Sequence, residues 1–225
     1  MFAKAIEELE QSVFPIIAKI NLVNNLQVIA VVGTGFFLDN EGLFTTANHV
    51  INDNPPRTEF LYIGCLPKHI VQPVKIEQIH SDPAKDVFLG RVQKDYGVAV
   101  PVSRTRPPVG RSVCLCGYPL PRIGSNPDGS INVRNVRRYY QPTCVIDFME
   151  ITSGERQYDS FITQHTSLKG MSGGPVFGTN GHVYGMDVAT WTRKIEEDKD
   201  HSFEVRNGVV KNIDIIMELA ARSDS

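Results

Sequence analysis

The sequence predicts an all-β fold with short helices at its two ends. Three observations carry that expectation. Apolar and β-branched residues fall in short runs such as Val28–Val32 and Val87–Leu89. Turn signals separate the runs at short intervals, among them Asn24-Asn25, Asp39-Asn40-Glu41-Gly42 and Gly178-Thr179-Asn180-Gly181. No helical pattern recurs between the runs, which argues for barrels or sandwiches and against a parallel α/β sheet.

Taken in order, Phe2, Ile6, Leu9 and Val13 recur at spacings of three and four, which predicts an amphipathic helix over 2–13, stopped by Pro15. Ile16–Val23 and Gln27–Val32 read as a hairpin around Asn24-Asn25. Gly33-Thr34-Gly35 leads into Phe36–Leu38, and after the turn at 39–42 a strand follows at Leu43–Thr46. Further strands are expected at Glu59–Tyr62, Val71–Ile76, Val87–Val92, Val98–Val102, Ser112–Cys116, Cys144–Phe148, Phe161–Gln164, Val176–Phe177, His182–Val188 and Phe203–Val205. Ile213, Ile216, Met217 and Ala220 form the stripe of a closing helix, with Asn212 as its cap. Pro101–Gly110, rich in proline, is the best internal boundary. The expected division is a helix at 1–15, a first β unit at 16–105, a second at 106–206 and a helix at 207–225, together one functional unit.

Composition narrows the function classes. The 225 residues are 41% hydrophobic and 21% charged, with a net charge of -2, as in ordinary globular chains. No basic excess points to nucleic acid, and no apolar run reaches membrane length. Lys4, Glu7, Glu8 and Glu10 interrupt what would be the apolar part of a secretory signal, so a cytoplasmic location is expected. Cys65, Cys114, Cys116 and Cys144 read as buried free thiols. Their spacing is not CxxC and no histidine pair completes a zinc pattern, so neither a metal nor a cofactor is expected.

A serine hydroxyl is a poor nucleophile at neutral pH. It needs a base, a group that orients the base, and donors for the developing oxyanion. Gly170-Met171-Ser172-Gly173-Gly174-Pro175 supplies a serine between glycines, with the N–H groups of Gly170 and Ser172 able to converge as an oxyanion hole. The same letters fit the GxSxG elbow of α/β-hydrolases, which requires a helix after the serine. Here Pro175-Val176-Phe177, a glycine turn and another strand follow, and only His182 and His201 lie downstream. His49, in Thr45-Thr46-Ala47-Asn48-His49-Val50, is the candidate base. Asp86 enters the apolar strand Val87-Phe88-Leu89 and is the candidate orienting carboxylate. Its rival Asp82 precedes Pro83 in a turn and is better suited to a local backbone bond.

The order His49, Asp86, Ser172 resembles that of chymotrypsin-like serine proteases. The flanks resemble the protease core of HtrA-type enzymes: Gly33-Thr34-Gly35-Phe36-Phe37 with Thr45–Val50, Asp82-Pro83 with Asp86–Leu89, Gly117-Tyr118-Pro119, and Gly185-Met186-Asp187. The likeness spans about residues 16–205. It implies two perpendicular six-stranded Greek-key β-barrels with a triad in the cleft between them. By the same resemblance, Thr166 and Ser167 fall where the S1 pocket floor lies, and Asp187 is a candidate to face it and favour a basic P1 residue. The implied partners are a protein or peptide substrate and a protein activator, with neither nucleic acid nor a membrane.

Three departures stand out. Only about 20 residues follow Val205, too few for a PDZ domain. Met171 stands where digestive relatives carry the aspartate that pairs with a new N-terminus, so activation by N-terminal cleavage is not expected. Val188 stands where relatives often bond the catalytic carboxylate, and it has no donor to offer. The alternative to an active enzyme is a binding or scaffold protein on a protease fold. Arg134, Arg137 and Arg138 beside Tyr139 and Tyr140 read as a solvated loop rather than a nucleic-acid patch. That loop, the N-terminal helix and Arg193–His201 are the places a regulator would touch.

Overall fold

A computed structural model describes residues 1–21, 27–52, 58–65, 72–74, 76–92, 97–119, 124–125, 131–132, 136–153, 156–196 and 202–223. The elements are α1 (Ala3–Leu9), β1 (Val13–Asn21), β2 (Gln27–Phe37), β3 (Leu43–Ala47), α2 (Asn48–Asn52), β4 (Thr58–Cys65), β5 (Gln72–Val74), β6 (Glu77–Asp82), β7 (Val87–Arg91), β8 (Ser112–Gly117), β9 (Gly124–Ser125), β10 (Ile131–Asn132), β11 (Tyr139–Ser153), β12 (Arg156–Thr163), β13 (Pro175–Gly178), β14 (Val183–Glu196), β15 (Ser202–Asn212) and α3 (Ile213–Ser223). The protein is mostly β, as the run-and-turn pattern requires.

The N-terminal half is one antiparallel sheet in the order β5-β4-β1-β2-β3-β7-β6. The C-terminal half is a closed six-stranded barrel, β11-β12-β15-β14-β13-β8. One apolar core joins the halves, with Phe14, Phe36, Phe37, Phe44 and Phe88 on the first side and Phe177, Val183 and Met186 on the second. A second cluster fills the closed barrel: Val113, Leu115, Val145, Phe161, Met171, Val176, Tyr184 and Val210. Burying this apolar area is the main force that holds the strands in register.

Several local expectations change. The first helix ends at Leu9, and Val13 already pairs with Phe36 in β1. Pro15 lies inside β1, opposite Thr34, but just beyond the β1–β4 register, which begins at Ile16↔Ile63, so its missing N–H costs no ladder bond there. The hairpin of β1 and β2 forms, while its Asn24-Asn25 turn lies outside the described residues. Instead of a strand, 98–102 makes an isolated bridge, Val102↔Val183, and single bonds from Val100 N–H to Phe37 O, from Ala99 N–H to Asn40 Oδ1 and from Val183 N–H to Pro101 O. This segment carries the chain from one half to the other. At the end, β15 runs to Asn212 because Val209 and Val210 are buried in the barrel and pair with β12 and β14. Asn212 precedes α3, but its Oδ1 is buried without a hydrogen bond, so it does not cap the helix.

Helix α1 buries Ala5 and Leu9, and the ring of Phe2 meets Phe177 of the closed barrel edge-on at 6.0 Å. Its apolar face is therefore covered. Arg138 is also more internal than a loop arginine. It donates from Nε to Tyr118 Oη (3.0 Å), from Nη1 to Tyr140 Oη (3.2 Å), and from Nη2 to the carbonyls of Glu10 (2.6 Å) and Val13 (3.0 Å). It thus fastens the N-terminal segment to β8 and β11. Arg137 is exposed, while Arg134 and residues 197–201 lie outside the described residues. Cys114 and Cys116 are buried free thiols, and burial pushes both up to about 12. Cys144 is a half-buried free thiol, and the side chain of Cys65 is not described. Among the described residues, no group of three His, Cys, Asp or Glu is placed to hold a metal, and no helix is long and apolar enough to cross a membrane.

Candidate active site

His49 sits on α2, the five-residue helix that interrupts the chain between β3 and β4. Such a helix is too short to leave a periodic signal. It is fixed from both ends. Asn48 N–H donates to Asp86 O (3.2 Å), and Asn48 Oδ1 accepts from Ser81 Oγ (2.6 Å) and Asn52 Nδ2 (2.6 Å).

Asp86 closes the turn after β6, with Lys85 and Asp86 donating to the carbonyls of Asp82 and Pro83. Its φ of 55° is left-handed, a conformation Asp tolerates better than most residues. Asp82 makes the local bond expected of it, accepting Lys85 N–H at 3.1 Å. The Asp86 carboxylate accepts the backbone N–H of His49 at 2.9 Å, and its two oxygens lie 2.8 and 3.1 Å from His49 Nδ1. The imidazole is thus held with Nε2 turned away from the carboxylate. Both side chains remain about one third exposed, at 34% and 31%. Lys211 of β15 is buried, and burial lowers its pKa against the opposing pull of Asp86 and Asp82. A cation from the closed barrel therefore faces the Asp86 turn. Val188 is buried and apolar, as its side chain dictates.

Ser172 is half-buried in a turn built by glycines. Leu168–Met171 is closed by Met171 N–H to Leu168 O (2.9 Å), with Gly170 at φ 97° in the position of a type II turn that needs glycine. Gly174 N–H then returns to Met171 O (2.9 Å). Gly173, at φ 86°, donates to Asp187 O at 2.7 Å, and Asp187 N–H donates to Gly174 O at 2.9 Å. The N–H groups of Gly170 and Ser172 make no hydrogen bond among the described residues. Met171 is fully buried in the apolar cluster of the closed barrel.

Thr34 was not singled out by the sequence, yet it makes three hydrogen bonds to the other half. It is fully buried. Its N–H donates to Ser172 O (2.9 Å), its Oγ1 donates to Gly170 O (2.8 Å) and accepts Tyr118 N–H (3.0 Å), and its carbonyl accepts Thr46 Oγ1 (2.7 Å). The only hint in the sequence is its place between two glycines.

The three residues expected at a substrate pocket do come together. Thr166 Oγ1 and Thr190 Oγ1 are 2.8 Å apart, and Ser167 Oγ donates to Asp187 Oδ2. Asp187 is 1% exposed and its Oδ1 has no hydrogen-bond partner. Burial pushes its pKa up to about 7, against the bond from Ser167 and the attraction of His49. A carboxyl group with one orphaned oxygen thus lies directly behind the glycine turn.

A family profile described as the trypsin-like peptidase domain matches residues 33–186, well over half of the 225-residue chain. The chain therefore belongs to the trypsin-like peptidase family. More particularly, it is 28% identical over 168 residues to a probable periplasmic serine endoprotease, DegP-like, of Bartonella henselae, covering 71% of this chain and 28% of that protein. It is 27% identical over 158 residues to the uncharacterized protein y4bJ of Sinorhizobium fredii, covering 68% of this chain and 21% of that one. The chain thus spans 21% to 28% of the length of these relatives. Among solved structures it is similar to the HtrA-type protease AlgW with decapeptide, with a TM-score of 0.73 and 15% identity over 99% of this chain and 67% of that one. That likeness supports the chymotrypsin-like fold.

Proposed function

We propose that this chain is an active serine endopeptidase that works through His49, Asp86 and Ser172. The observation that carries the reading is the bidentate approach of Asp86 to His49 Nδ1 and its backbone N–H, beside a glycine turn with two unpartnered N–H groups. The carboxylate fixes the tautomer with Nδ1 protonated, which leaves Nε2 as the base. In the proposed reaction Ser172 Oγ gives its proton to His49 Nε2 and bonds to the scissile carbonyl carbon. The N–H groups of Gly170 and Ser172 receive the oxyanion. His49 then protonates the leaving amine, and water, deprotonated by His49, releases the acyl group and restores Ser172. No cofactor takes part in these steps.

Thr166, Ser167 and Asp187 are the proposed floor of the S1 pocket. The orphaned Oδ1 of Asp187 favours a lysine or arginine at P1 above neutral pH, where the carboxyl is charged. A P1-scanning peptide library decides this, and a preference for Val or Leu over Arg sinks it. A protein activator and a cytoplasmic location belong to the same proposal. The two DegP-like and y4bJ relatives divide on the second point only by name, since the DegP-like one is called periplasmic. Cell fractionation separates the two compartments.

The activity is tested by turnover of an unfolded protein substrate. Ser172→Ala should lower it by about 10⁶-fold, and activity should fall on acidification as His49 takes up a proton. A wild-type chain without turnover, with and without candidate activators, supports the scaffold reading instead.

A further inference from the structure

The N–H groups around Ser172 alternate between bonded and unbonded. The Gly170–Met171 peptide is held at both atoms, its carbonyl by Thr34 Oγ1 (2.8 Å) and its N–H by Leu168 O (2.9 Å). The Ser172–Gly173 peptide is likewise held, its carbonyl by Thr34 N–H (2.9 Å) and its N–H by Asp187 O (2.7 Å). Between and before them lie the Met171–Ser172 and Lys169–Gly170 peptides, whose N–H groups have no hydrogen bond among the described residues. Pinning their neighbours fixes the orientation of these two, because only two dihedrals separate neighbouring peptide planes, and the Met171–Ser172 peptide is held in addition at its carbonyl, which accepts Gly174 N–H (2.9 Å).

Thr34 supplies one tether to each pinned peptide, from a different half of the molecule. The surrounding sequence makes room for it. A Cβ on Gly33 would come 3.0 Å from Ser172 O, and one on Gly117 would come 2.9 Å from both Thr34 Oγ1 and Met171 Cα. Met171, buried among apolar side chains, gives the turn no charged anchor.

We infer that Thr34 is a positioning residue that holds the oxyanion turn in its working geometry from the N-terminal sheet. The inference rests on the serine-protease reading for its consequence, but the tether itself does not. It acts through Gly170 and Ser172 and touches no reacting atom. A hydroxyl is required, since Oγ1 both donates to Gly170 O and accepts from Tyr118 N–H.

The test uses Thr34→Val, which keeps the shape and removes the hydroxyl, and Thr34→Ser, which restores it. The full chain is used throughout. With folding verified by thermal unfolding, Thr34→Val should lower kcat by about 10-fold or more, up to the roughly 100- to 1000-fold set by outright loss of one oxyanion donor, with KM within about threefold. Thr34→Ser should return kcat to within about fivefold of wild type. Independently of activity, amide exchange of Met171 should speed up by at least about tenfold in Thr34→Val, with Tyr118 as the internal control and Val176 unchanged. Thr34→Ala repeats both measurements should the valine variant not fold. A folded variant with normal kcat, or with Met171 exchange unchanged, overturns the inference. A wild-type chain without turnover whose Met171 amide still responds overturns the protease reading and leaves the tether standing.

Discussion

Gly173→Ala should damage this protein more than any ordinary glycine substitution, and the structure provides its own control. Gly173 has φ 86°, and a Cβ there would overlap Thr46 Oγ1 and the Thr34 carbonyl and lie 2.9 Å from Ala47 N. Those first two atoms are bonded to each other at 2.7 Å, so the methyl would wedge the bond open. Gly110 has nearly the same φ, 84°, with nothing within 4 Å of its Cβ position. Gly110→Ala therefore carries only the left-handed backbone strain, about 1–2 kcal/mol. Gly173→Ala adds overpacking of about 1–3 kcal/mol and the disruption of a buried hydrogen bond, about 1 kcal/mol more. The expected gap between the variants is about 2–4 kcal/mol, a large fraction of a stability that is typically about 5–15 kcal/mol. Urea unfolding followed by the single tryptophan, Trp191, measures it. Serine labelling by a fluorophosphonate should survive in Gly110→Ala and be lost in Gly173→Ala. Two variants within about 1 kcal/mol of each other, both labelled, would refute the close-contact reasoning.

Three further outcomes follow from the same contacts. Met171→Asp places a carboxylate in the apolar barrel cluster, and should cost at least about 3 kcal/mol in denaturant unfolding. A cost below 1 kcal/mol means that a partner for the charge exists. Arg138→Met leaves the Val13 carbonyl and the Tyr118 hydroxyl without their guanidinium donor and should cost about 2–4 kcal/mol, with Arg138→Lys recovering less than half because an ammonium cannot reach all four acceptors. Asp187 has a folded pKa of about 7, above the unfolded value of about 3.9. Its contribution to stability is therefore full below the unfolded value and lost as pH rises through about 7. Asp187→Asn should flatten the fall in unfolding free energy between acidic and mildly alkaline pH by more than about 1 kcal/mol, and an unchanged slope contradicts the assignment.

The sequence made the strand runs legible because burial on a pleated surface leaves a short-range signature. It also made His49 and Asp86 legible, since each sits in a local motif and the structure joins them at 2.8 Å. What it hid is what depends on distant partners. Thr34 bonds to Gly170, 136 positions away, and nothing in Gly33-Thr34-Gly35 names that partner. Arg138 looks like part of a solvated Arg/Tyr loop until Glu10 and Val13 fold over it. Lys211 lies in the segment expected to be a closing helix, and its burial in β15, under the influence of the Asp86 and Asp82 carboxylates, depends on distant partners. Helix α2 has five residues, too few for periodicity to register. The Asp187 carboxyl was expected near a substrate pocket, but its orphaned oxygen is a property of three-dimensional surroundings alone.

The central claim, that Ser172 is a nucleophile activated by His49 and Asp86, is tested most directly by mapping a fluorophosphonate adduct by mass spectrometry on the intact chain. The account predicts a single adduct on Ser172, absent in Ser172→Ala and slowed by orders of magnitude in His49→Ala and Asp86→Asn. An adduct on another residue, or labelling of Ser172 that is indifferent to His49, contradicts it.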